Sequence, residues 1–371
     1  MKKPLQIFAS ILSIMLIISI LLAYISVWIS PERIWFLAFF GLAYPYFLIG
    51  NLFFFFYWIF RKKKLSLLIL IVILLGVNHF NSYIPIFRGK DKIAQDSSVS
   101  GPEINVLSYN VRMFNLFEKE TKTAEKTLQF INQENTDIIC LQEVLISDYY
   151  HFNLNTFKKH LGNTPNLYIQ FLNKQSKDHH YGLAIFSKYP IIHKGRIEYE
   201  HANNLSIFID LLVGNDTIRI YNNHLQSFRL GSDNFKFLTD FEETIEDLPL
   251  REVKDISSKM KRAYVKRAGQ ARKLSAHIQS SPYPVIVCGD FNDTPVSYTY
   301  RKVKKNLSDA FIESGKGLGK TYSEIIPSYR IDYILHSERL VSHNFRTLKK
   351  KYSDHYPIRC SFFLKENKAG N

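Results

Sequence analysis

Three uncharged apolar stretches near the amino terminus constrain this 371-residue chain more than any other feature. No charged residue lies between Lys3 and Glu32, and two further uncharged stretches cover residues 34–60 and 65–87. A helix of about 20 consecutive apolar residues is long enough to cross the hydrocarbon core of a bilayer. The pattern therefore predicts a membrane region over residues 1–87 with three transmembrane helices, at about 5–29, 34–60 and 65–87.

Two of these stretches have alternative interpretations. The first could be a cleaved secretory signal, but no small-residue cleavage site closes it and two more apolar stretches follow. The third ends in the polar sequence NHFNSYIPIF at residues 78–87. Such residues are tolerated at membrane depth where a segment is buried in protein or re-entrant. A re-entrant or interfacial third segment therefore remains an alternative.

Positive charges near the helix ends predict the orientation. Lys2 and Lys3 precede the first stretch, and the sequence RKKK occupies residues 61–64. The positive-inside bias places both groups on the cytoplasmic side. Three crossings then put the rest of the chain outside the cytoplasmic membrane, so we expect an integral membrane protein with an extracytoplasmic domain. If the third segment does not span, the domain lies in the cytoplasm.

The charge of the remaining chain is too small and too scattered to identify a partner. Basic residues exceed acidic ones by 48 to 33 over the whole chain and by 10 to 2 within residues 1–92. The rest therefore holds 38 basic and 31 acidic residues, a net charge of +7. Such mild basicity does not by itself establish nucleic-acid binding.

A polar segment separates the apolar region from a sequence typical of a soluble domain. Residues 88–102 contain Ser, Gly and Pro without apolar periodicity, which predicts a linker before a domain over residues 103–371. Cys140, Cys288 and Cys360 each lie within or beside an apolar run, and their spacing matches neither a zinc site nor a disulfide framework. We expect them to be buried small hydrophobic residues.

Short β-rich runs bounded by polar or turn residues dominate this domain. They are INVLSYNV (104–111), DIICLQEV (137–144), GLAIFSK (182–188), PVIVCGDF (284–291), RIDYILHS (330–337) and PIRCSFFL (357–364). A hairpin is predicted to turn at residues 214–216, and helical spacing predicts helices over about 121–134 and 258–279. The charged segment 228–257 has no assignable pattern. Strands with a few helices between them favour packed sheets with helices on their outer faces.

A carboxylate, amide or imidazole follows or interrupts most of the strands. These residues are Asn110, Glu143, His224, Asp290, Asn292, Asp332, Asp354 and His355. Such positions place polar groups at the rim of a sheet, and hard oxygen ligands of this kind suit Mg²⁺ or Mn²⁺ rather than zinc or copper. Several carboxylates with two histidines provide the groups needed for metal-assisted hydrolysis.

Each of these residues taken alone also has an ordinary structural interpretation. Asn110 could cap a turn, Glu143 could be a surface residue, and His224 could be a structural histidine. The sequence Gly289-Asp290-Phe291-Asn292 indicates a backbone turned to present two polar groups. Asp332 within an apolar strand is costly unless it is paired, which favours a partner such as a histidine.

Seven motifs in a fixed order resemble the endonuclease/exonuclease/phosphatase superfamily. The motifs are LSYN, LQE, GLAIFSKYPI, NNHL, GDFND, RIDYIL and SDHYPI, and the resemblance covers residues 103 to 365. This superfamily includes DNase I-like nucleases, abasic-site endonucleases, neutral sphingomyelinases and inositol polyphosphate 5-phosphatases. The resemblance implies an α/β fold, a four-layered α/β/β/α sandwich (DNase I-like), here preceded by three transmembrane helices.

The resemblance also implies a role for each motif residue. Glu143 would be the principal Mg²⁺ (or Mn²⁺) ligand, with Asn110 and Asp354 close to the metal or to its water. The implied catalytic and substrate-binding residues begin with Asp290, which handles the attacking water or the leaving-group proton, and Asn292, which orients the leaving group. His355 would contact the phosphate and be held by Asp332. His224 would be a donor or general acid on the opposite side of the phosphate. The choice of general base stays open among the family's answers.

The implied activity is metal-dependent hydrolysis of a phosphoester or phosphodiester bond by in-line attack of water. A nuclease-type substrate is slightly favoured, and a phospholipid or sphingolipid head group is the alternative. The basic clusters at 301–305 and 349–351 suit both substrates. A membrane protein that binds a phosphorylated ligand without hydrolysing it is a further alternative. The presence of every motif residue disfavours it.

Overall fold

The computed structural model describes residues 3–86, 99–116, 121–149, 152–172, 179–199, 204–228, 250–323 and 329–366. The linker predicted at 88–102 lies outside the described residues up to residue 98, and so does most of the charged segment 228–257. The chain divides into two compact units. The first comprises Met1–Tyr83, Phe228–Gly269 and Asp293–Lys302, and the second comprises Ile84–Ser227, Gln270–Asn292 and Val303–Asn371.

Apolar helices form the amino-terminal part of the first unit. They are α1 (Lys3–Ser26), α2 (Leu37–Leu42), α3 (Tyr44–Phe60), α4 (Leu65–Leu75) and α5 (Val77–Asn81). A few polar contacts fix α3 against α1. The Trp58 indole donates to the Ser13 hydroxyl at 2.9 Å, and the Asn51 amide donates to the Leu16 carbonyl at 3.1 Å.

The prediction of three transmembrane helices is wrong in number. Among the described residues, only the 24-residue α1 is long and apolar enough to cross a membrane. Helix α3 has 17 residues and α4 has 11, both short of the roughly 20 that a span requires. The second apolar stretch is interrupted at Ala43 and the third at Gly76, where the backbone ψ angles of 3° and 10° end a helix. Apolar composition alone does not reveal such breaks.

Two six-stranded sheets form the frame of the second unit. The strands are β1 (Val99–Asn110), β2 (Ile138–Ser147), β3 (Asn166–Phe171), β4 (His179–Ser187), β5 (Ile191–Glu198), β6 (Leu205–Val213), β7 (Asp216–His224), β8 (Val285–Asp290), β9 (Ser308–Asp309), β10 (Asp332–His336), β11 (Leu340–Thr347) and β12 (Ile358–Lys365). Their order is β11-β12-β1-β2-β4-β3 in one sheet and β5-β6-β7-β8-β10-β9 in the other. Among the described strands, only the pairs β1–β2 and β7–β8 run parallel.

Further helices follow in the rest of the chain. They are α6 (Thr121–Gln133), α7 (Leu154–His160), α8 (Leu250–Gln279), α9 (Tyr298–Val303) and α10 (Ala310–Ser314). The prediction over 121–134 is confirmed. The helix predicted at 258–279 exists but begins eight residues earlier, at Leu250.

Alternation of side chains along the strands builds the layers. Val106 points into an apolar core that the two sheets share with residues such as Ile207, whereas its neighbour Leu107 packs with α6 and α7 on the opposite face. On the outer face of the other sheet, the Tyr221 hydroxyl lies 2.9 Å from Nδ1 of His277 in α8. Helix, sheet, sheet and helix follow one another, so the four-layered α/β/β/α sandwich is confirmed.

Two smaller predictions for this unit are confirmed as well. Strands β6 and β7 form the expected hairpin, with Gly214 in the turn at φ +61°. The three cysteines are buried and free.

Candidate active site

Strand register brings the predicted site residues to one edge of the sheets. Parallel pairing of β7 with β8 sets His224 beside Asp290. Antiparallel pairing of β10 with β8 sets Asp332 beside Asp290 from the other side. Three strand ends of one sheet therefore present an imidazole and two carboxylates next to each other.

The strand ends of the other sheet contribute Asn110 and Glu143. The Asn110 amide nitrogen lies 3.2 Å from Oε1 of Glu143 and 3.1 Å from Oδ2 of Asp290, so this side chain joins the two sheets. Its oxygen accepts the Arg112 backbone N–H at 3.0 Å. Asn110 thus faces Glu143 with its donor end.

Glu143 occupies a distorted point of β2. The register of β2 shifts between Leu141 and Val144, and Glu143 adopts a left-handed φ of +53°. Such a conformation is uncommon for a residue other than glycine and is found at functional sites where the surroundings impose it. The bulge turns the Glu143 carboxylate toward Asn110 rather than along the regular alternation of the strand.

Glu143 lies among groups of both charges. Burial raises its pKa, the hydrogen bond from Asn110 lowers it, the charge of Asp354 raises it, and the charges of His355 and Arg112 lower it. Both carboxylates are partly covered, with 21% of the Glu143 side chain and 22% of the Asp354 side chain exposed. Two such neighbouring carboxylates repel each other unless a cation lies close by.

Asp290 ends β8 in a tight turn that only glycine permits at the preceding position. Gly289 has φ +134°, and a Cβ there would meet the Asn223 carbonyl oxygen at 2.1 Å. Asp290 Oδ1 accepts the Asn292 N–H at 2.7 Å, and the Asn292 side-chain amide donates to Oδ2 at 3.1 Å and to the Leu225 carbonyl at 3.0 Å. The turn therefore locks both side chains of the GDFN motif in place.

The pKa of Asp290 is suited to proton transfer near neutral pH. Burial raises this pKa to about 6, with His355 and His224 lowering it and Asp332 raising it. A general base is most effective when its pKa lies close to the working pH.

His355 is held between two carboxylates. Its Nδ1 lies 2.9 Å from Oδ2 of Asp332 and its Nε2 lies 3.7 Å from Oδ2 of Asp290. Burial of the ring lowers its pKa, but the charges of Asp332 and Asp290 outweigh this, so the pKa lies well above its ordinary value. The surroundings therefore favour the protonated ring, which presents two N–H donors.

His224 lies on the other side of Asp290. Its Nε2 is 3.3 Å from Oε1 of Glu143 and 4.0 Å from Oδ2 of Asp290. The two predicted histidines thus flank one buried carboxylate, and the structure brings all eight predicted residues into one site.

Two groups of side chains deserve comparison as metal ligands. Asp290, Asp332 and His355 present potential donor atoms within 4.8 Å of one another. In this group Nδ1 of His355 already contacts Asp332 at 2.9 Å, and a protonated ring would offer no lone pair to a metal. Glu143 and Asp354 offer hard oxygen atoms without that obstacle, and they fit Mg²⁺ or Mn²⁺.

Several residues that support the site were not singled out from the sequence. Arg112 Nε lies 3.7 Å from Oδ2 of Asp354. The Ser353 hydroxyl donates to the Asn110 carbonyl at 2.8 Å and accepts the His355 N–H at 3.2 Å. The Thr321 hydroxyl accepts the Asp332 N–H at 3.1 Å. Ser353 lies within the SDHYPI motif, but nothing in the local sequence marks Thr321.

Solved structures of low sequence identity share this fold. An endonuclease/exonuclease/phosphatase from Beutenbergia cavernae is 14% identical, with a TM-score of 0.52, over 71% of this chain and 72% of that chain. A family protein from Leptotrichia buccalis is 16% identical, with a TM-score of 0.50, over 70% and 99%. Another from Bacteroides thetaiotaomicron is 14% identical, with a TM-score of 0.50, over 74% and 99%.

Family models match both parts of the chain. No curated protein matches it. Residues 6–83 match a domain of unknown function. Residues 107–355, more than half of the chain and all of the site described above, match the Endonuclease/Exonuclease/phosphatase family. The chain therefore belongs to the endonuclease/exonuclease/phosphatase family.

Proposed function

We propose that this phosphoester hydrolase is metal-dependent and that Glu143 and Asp354 hold the divalent cation, Mg²⁺ or Mn²⁺. The proposal is carried by one observation: two partly covered carboxylates lie next to a buried carboxylate flanked by two histidines. A divalent cation bound there polarises a phosphoryl oxygen and offsets negative charge in the transition state. Asn110 keeps Glu143 in place through its amide donor.

Asp290 is the proposed group that accepts a proton from the attacking water. Its pKa of about 6 leaves it largely ionised at neutral pH yet basic enough to take a proton. Asn292 fixes both oxygen atoms of this carboxylate. Asp290 therefore needs no rearrangement before the proton is transferred.

His355 and His224 are the proposed donors to the phosphate oxygens. Protonated His355 contributes a positive charge where negative charge grows, which is the largest source of stabilisation in many such sites. Asp332 orients the ring and maintains its charge through the 2.9 Å contact to Nδ1. His224, on the other side of Asp290, donates to a second oxygen or to the leaving group.

The proposed substrate class follows the charge of the chain and its apolar unit. A nuclease-type phosphodiester is slightly favoured, and the mild basicity of residues 93–371 suits it without establishing nucleic-acid binding. A phospholipid or sphingolipid head group is the alternative, supported by the apolar helices of residues 3–83. Helix α1 is the proposed membrane anchor, and the positive-inside bias places its first residue, Lys3, on the cytoplasmic side.

A substrate panel tests this proposal. Purified full-length chain is incubated with DNA, RNA, phospholipid and phosphosugar substrates, with and without Mg²⁺, and product release is measured. We expect Mg²⁺-dependent release from one class and loss of most of it in Glu143→Ala and in His355→Ala. Matched controls are Glu103→Ala and His343→Ala, which alter a Glu–His pair outside the site. Equal silence of the wild type and all variants on every substrate would contradict the proposal.

A further inference from the structure

A basic pocket lies at one end of the apolar helices of the first unit. It has a volume of about 450 Å³, and its polar lining consists of Lys3, Lys63, Lys64, Gln6, Ser10 and Trp58. Residues from the start of α1, the end of α3 and the start of α4 therefore meet there. The pocket belongs to the apolar helices and shares no residue with the catalytic site.

The turn between α3 and α4 places two of these lysines. Lys62 adopts a left-handed φ of +52°, and the Lys63 N–H donates to the Trp58 carbonyl at 3.1 Å. This reverses the chain so that Lys63 and Lys64 approach the first turn of α1, where Lys3 lies. Lys63 and Lys64 therefore line the pocket while their side chains stay exposed to solvent.

Among the described residues, no carboxylate compensates the positive charge of the pocket. Glu32 is the only acidic residue in residues 1–83, and it follows α1 at the opposite end of that helix. Within the described part of the chain, none of the three lysines forms an ion pair. Three like charges around one cavity repel one another, and an anion in the cavity removes that repulsion.

The surroundings of the pocket select an anion attached to hydrocarbon. Ile7 lines the pocket and is 61% exposed, and Phe8 next to it is 63% exposed. On α4, Leu67 is 60% exposed and Leu68 is 47% exposed. A free phosphate ion would use the lysines and leave these surfaces uncovered, whereas a phospholipid covers them with its acyl chains.

We propose that this pocket binds the phosphate head group of an acidic phospholipid, with the acyl chains lying along the apolar faces of α1 and α4. The proposal requires that the apolar helices of residues 3–81 are embedded in a membrane, and it does not depend on hydrolysis by the catalytic site. Basic pockets between membrane helices are suited to anionic head groups, and each lysine near such a surface strengthens binding about fivefold.

Lipid titration of the detergent-solubilised full-length chain tests the proposal. Dioleoylphosphatidylglycerol, dioleoylphosphatidylcholine and inorganic phosphate are added in parallel, and binding is followed by the unfolding temperature of the protein. We expect the anionic lipid alone to raise that temperature. We expect Lys64→Gln to weaken its apparent affinity about fivefold and Lys63→Gln/Lys64→Gln about 25-fold.

Lys62→Gln is the matched control, because Lys62 lies in the same turn and carries the same charge but does not line the pocket. We expect this variant to bind the lipid as the wild type does. Equal loss in Lys62→Gln and Lys64→Gln would overturn the proposal in favour of diffuse surface attraction. Equal stabilisation by phosphatidylcholine or by inorganic phosphate would also overturn it. Phosphoester hydrolysis is measured on the same samples. A lack of hydrolysis would count against the proposed function but not against lipid binding in this pocket.

Discussion

Replacing Asp332 by asparagine removes the charge nearest to the His355 ring while keeping the shape of the side chain. The two groups are 2.9 Å apart, and both residues are buried, with 2% of Asp332 and 6% of His355 exposed. An opposite charge at short range shifts a pKa by about 1–3 units. Asp290 remains 3.7 Å from the other ring nitrogen and keeps part of the elevation. We therefore expect the pKa of His355 to fall by about 1–3 units in Asp332→Asn.

The sign of the effect on activity follows from which form of His355 is active. Its pKa is raised in the folded protein, so the cation is present below that pKa and is lost as the pH rises through it. Activity therefore falls on the alkaline side of the profile. In Asp332→Asn this alkaline limb moves down by about 1–3 pH units. At a pH between the two limbs the rate of the variant falls about tenfold for each unit by which the pH exceeds the pKa of its His355.

The assay is the pH dependence of kcat/KM for an aryl phosphodiester in the presence of Mg²⁺. Asp216→Asn is the matched control, because it makes the same chemical change in a half-exposed pair with Arg339, at 3.3 Å and away from the site. The control is expected to keep the wild-type profile. Coincident alkaline limbs in Asp332→Asn and the wild type, with equal unfolding temperatures, would refute the assignment of His355 as a charged donor held by Asp332.

Three further predictions concern the frame of the site and the proposed metal. Gly289→Ala is expected to lower the free energy of unfolding in urea by more than about 3 kcal/mol, because its Cβ would meet backbone atoms. The control Gly214→Ala, whose Cβ meets nothing within 4 Å, is expected to lower it by about 1–2 kcal/mol. Equal losses in the two variants would contradict the steric argument. Arg330→Ala removes a buried bidentate ion pair with Asp309, at 3.1 and 2.7 Å, and is expected to lower the free energy of unfolding by about 3–5 kcal/mol in the same assay. A loss below about 1 kcal/mol would show that the pair is dispensable. Glu143→Gln is expected to weaken Mn²⁺ binding at least about tenfold in isothermal titration calorimetry, and unchanged affinity would remove Glu143 from the ligand set.

The sandwich fold and the set of residues that form the site could be predicted because both follow local sequence patterns. Alternation of apolar residues identifies strands such as β1 and β8, and the polar residue that ends each strand identifies the sheet edge that carries the site. The cost of burying Asp332 without a partner pointed to a histidine, and the structure pairs it with His355 at 2.9 Å. Sequence order then sufficed to connect distant segments into one family pattern.

Other features depend on contacts that sequence patterns do not encode. The left-handed φ of Glu143 arises from a bulge in β2, and no glycine or asparagine marks that position. The role of Thr321 depends on its meeting the backbone of Asp332, eleven residues away. Breaks at Ala43 and Gly76 shorten two apolar helices, although the apolar composition continues through them. The first two are set by tertiary packing rather than by local propensity, whereas Pro45 and Gly76 are the local signals of the two helix breaks.

Hydrolysis in water enriched in oxygen-18 shows whether Asp290 activates a water molecule for attack on phosphorus, as proposed. The full-length chain is incubated with Mg²⁺ and a substrate that it cleaves, and the mass of each product is measured by mass spectrometry. We expect one oxygen-18 atom in the phosphate product and none in the released alcohol, and we expect both products to be lost in Asp290→Asn. Oxygen-18 in the alcohol, or undiminished turnover in Asp290→Asn, would contradict this proposal.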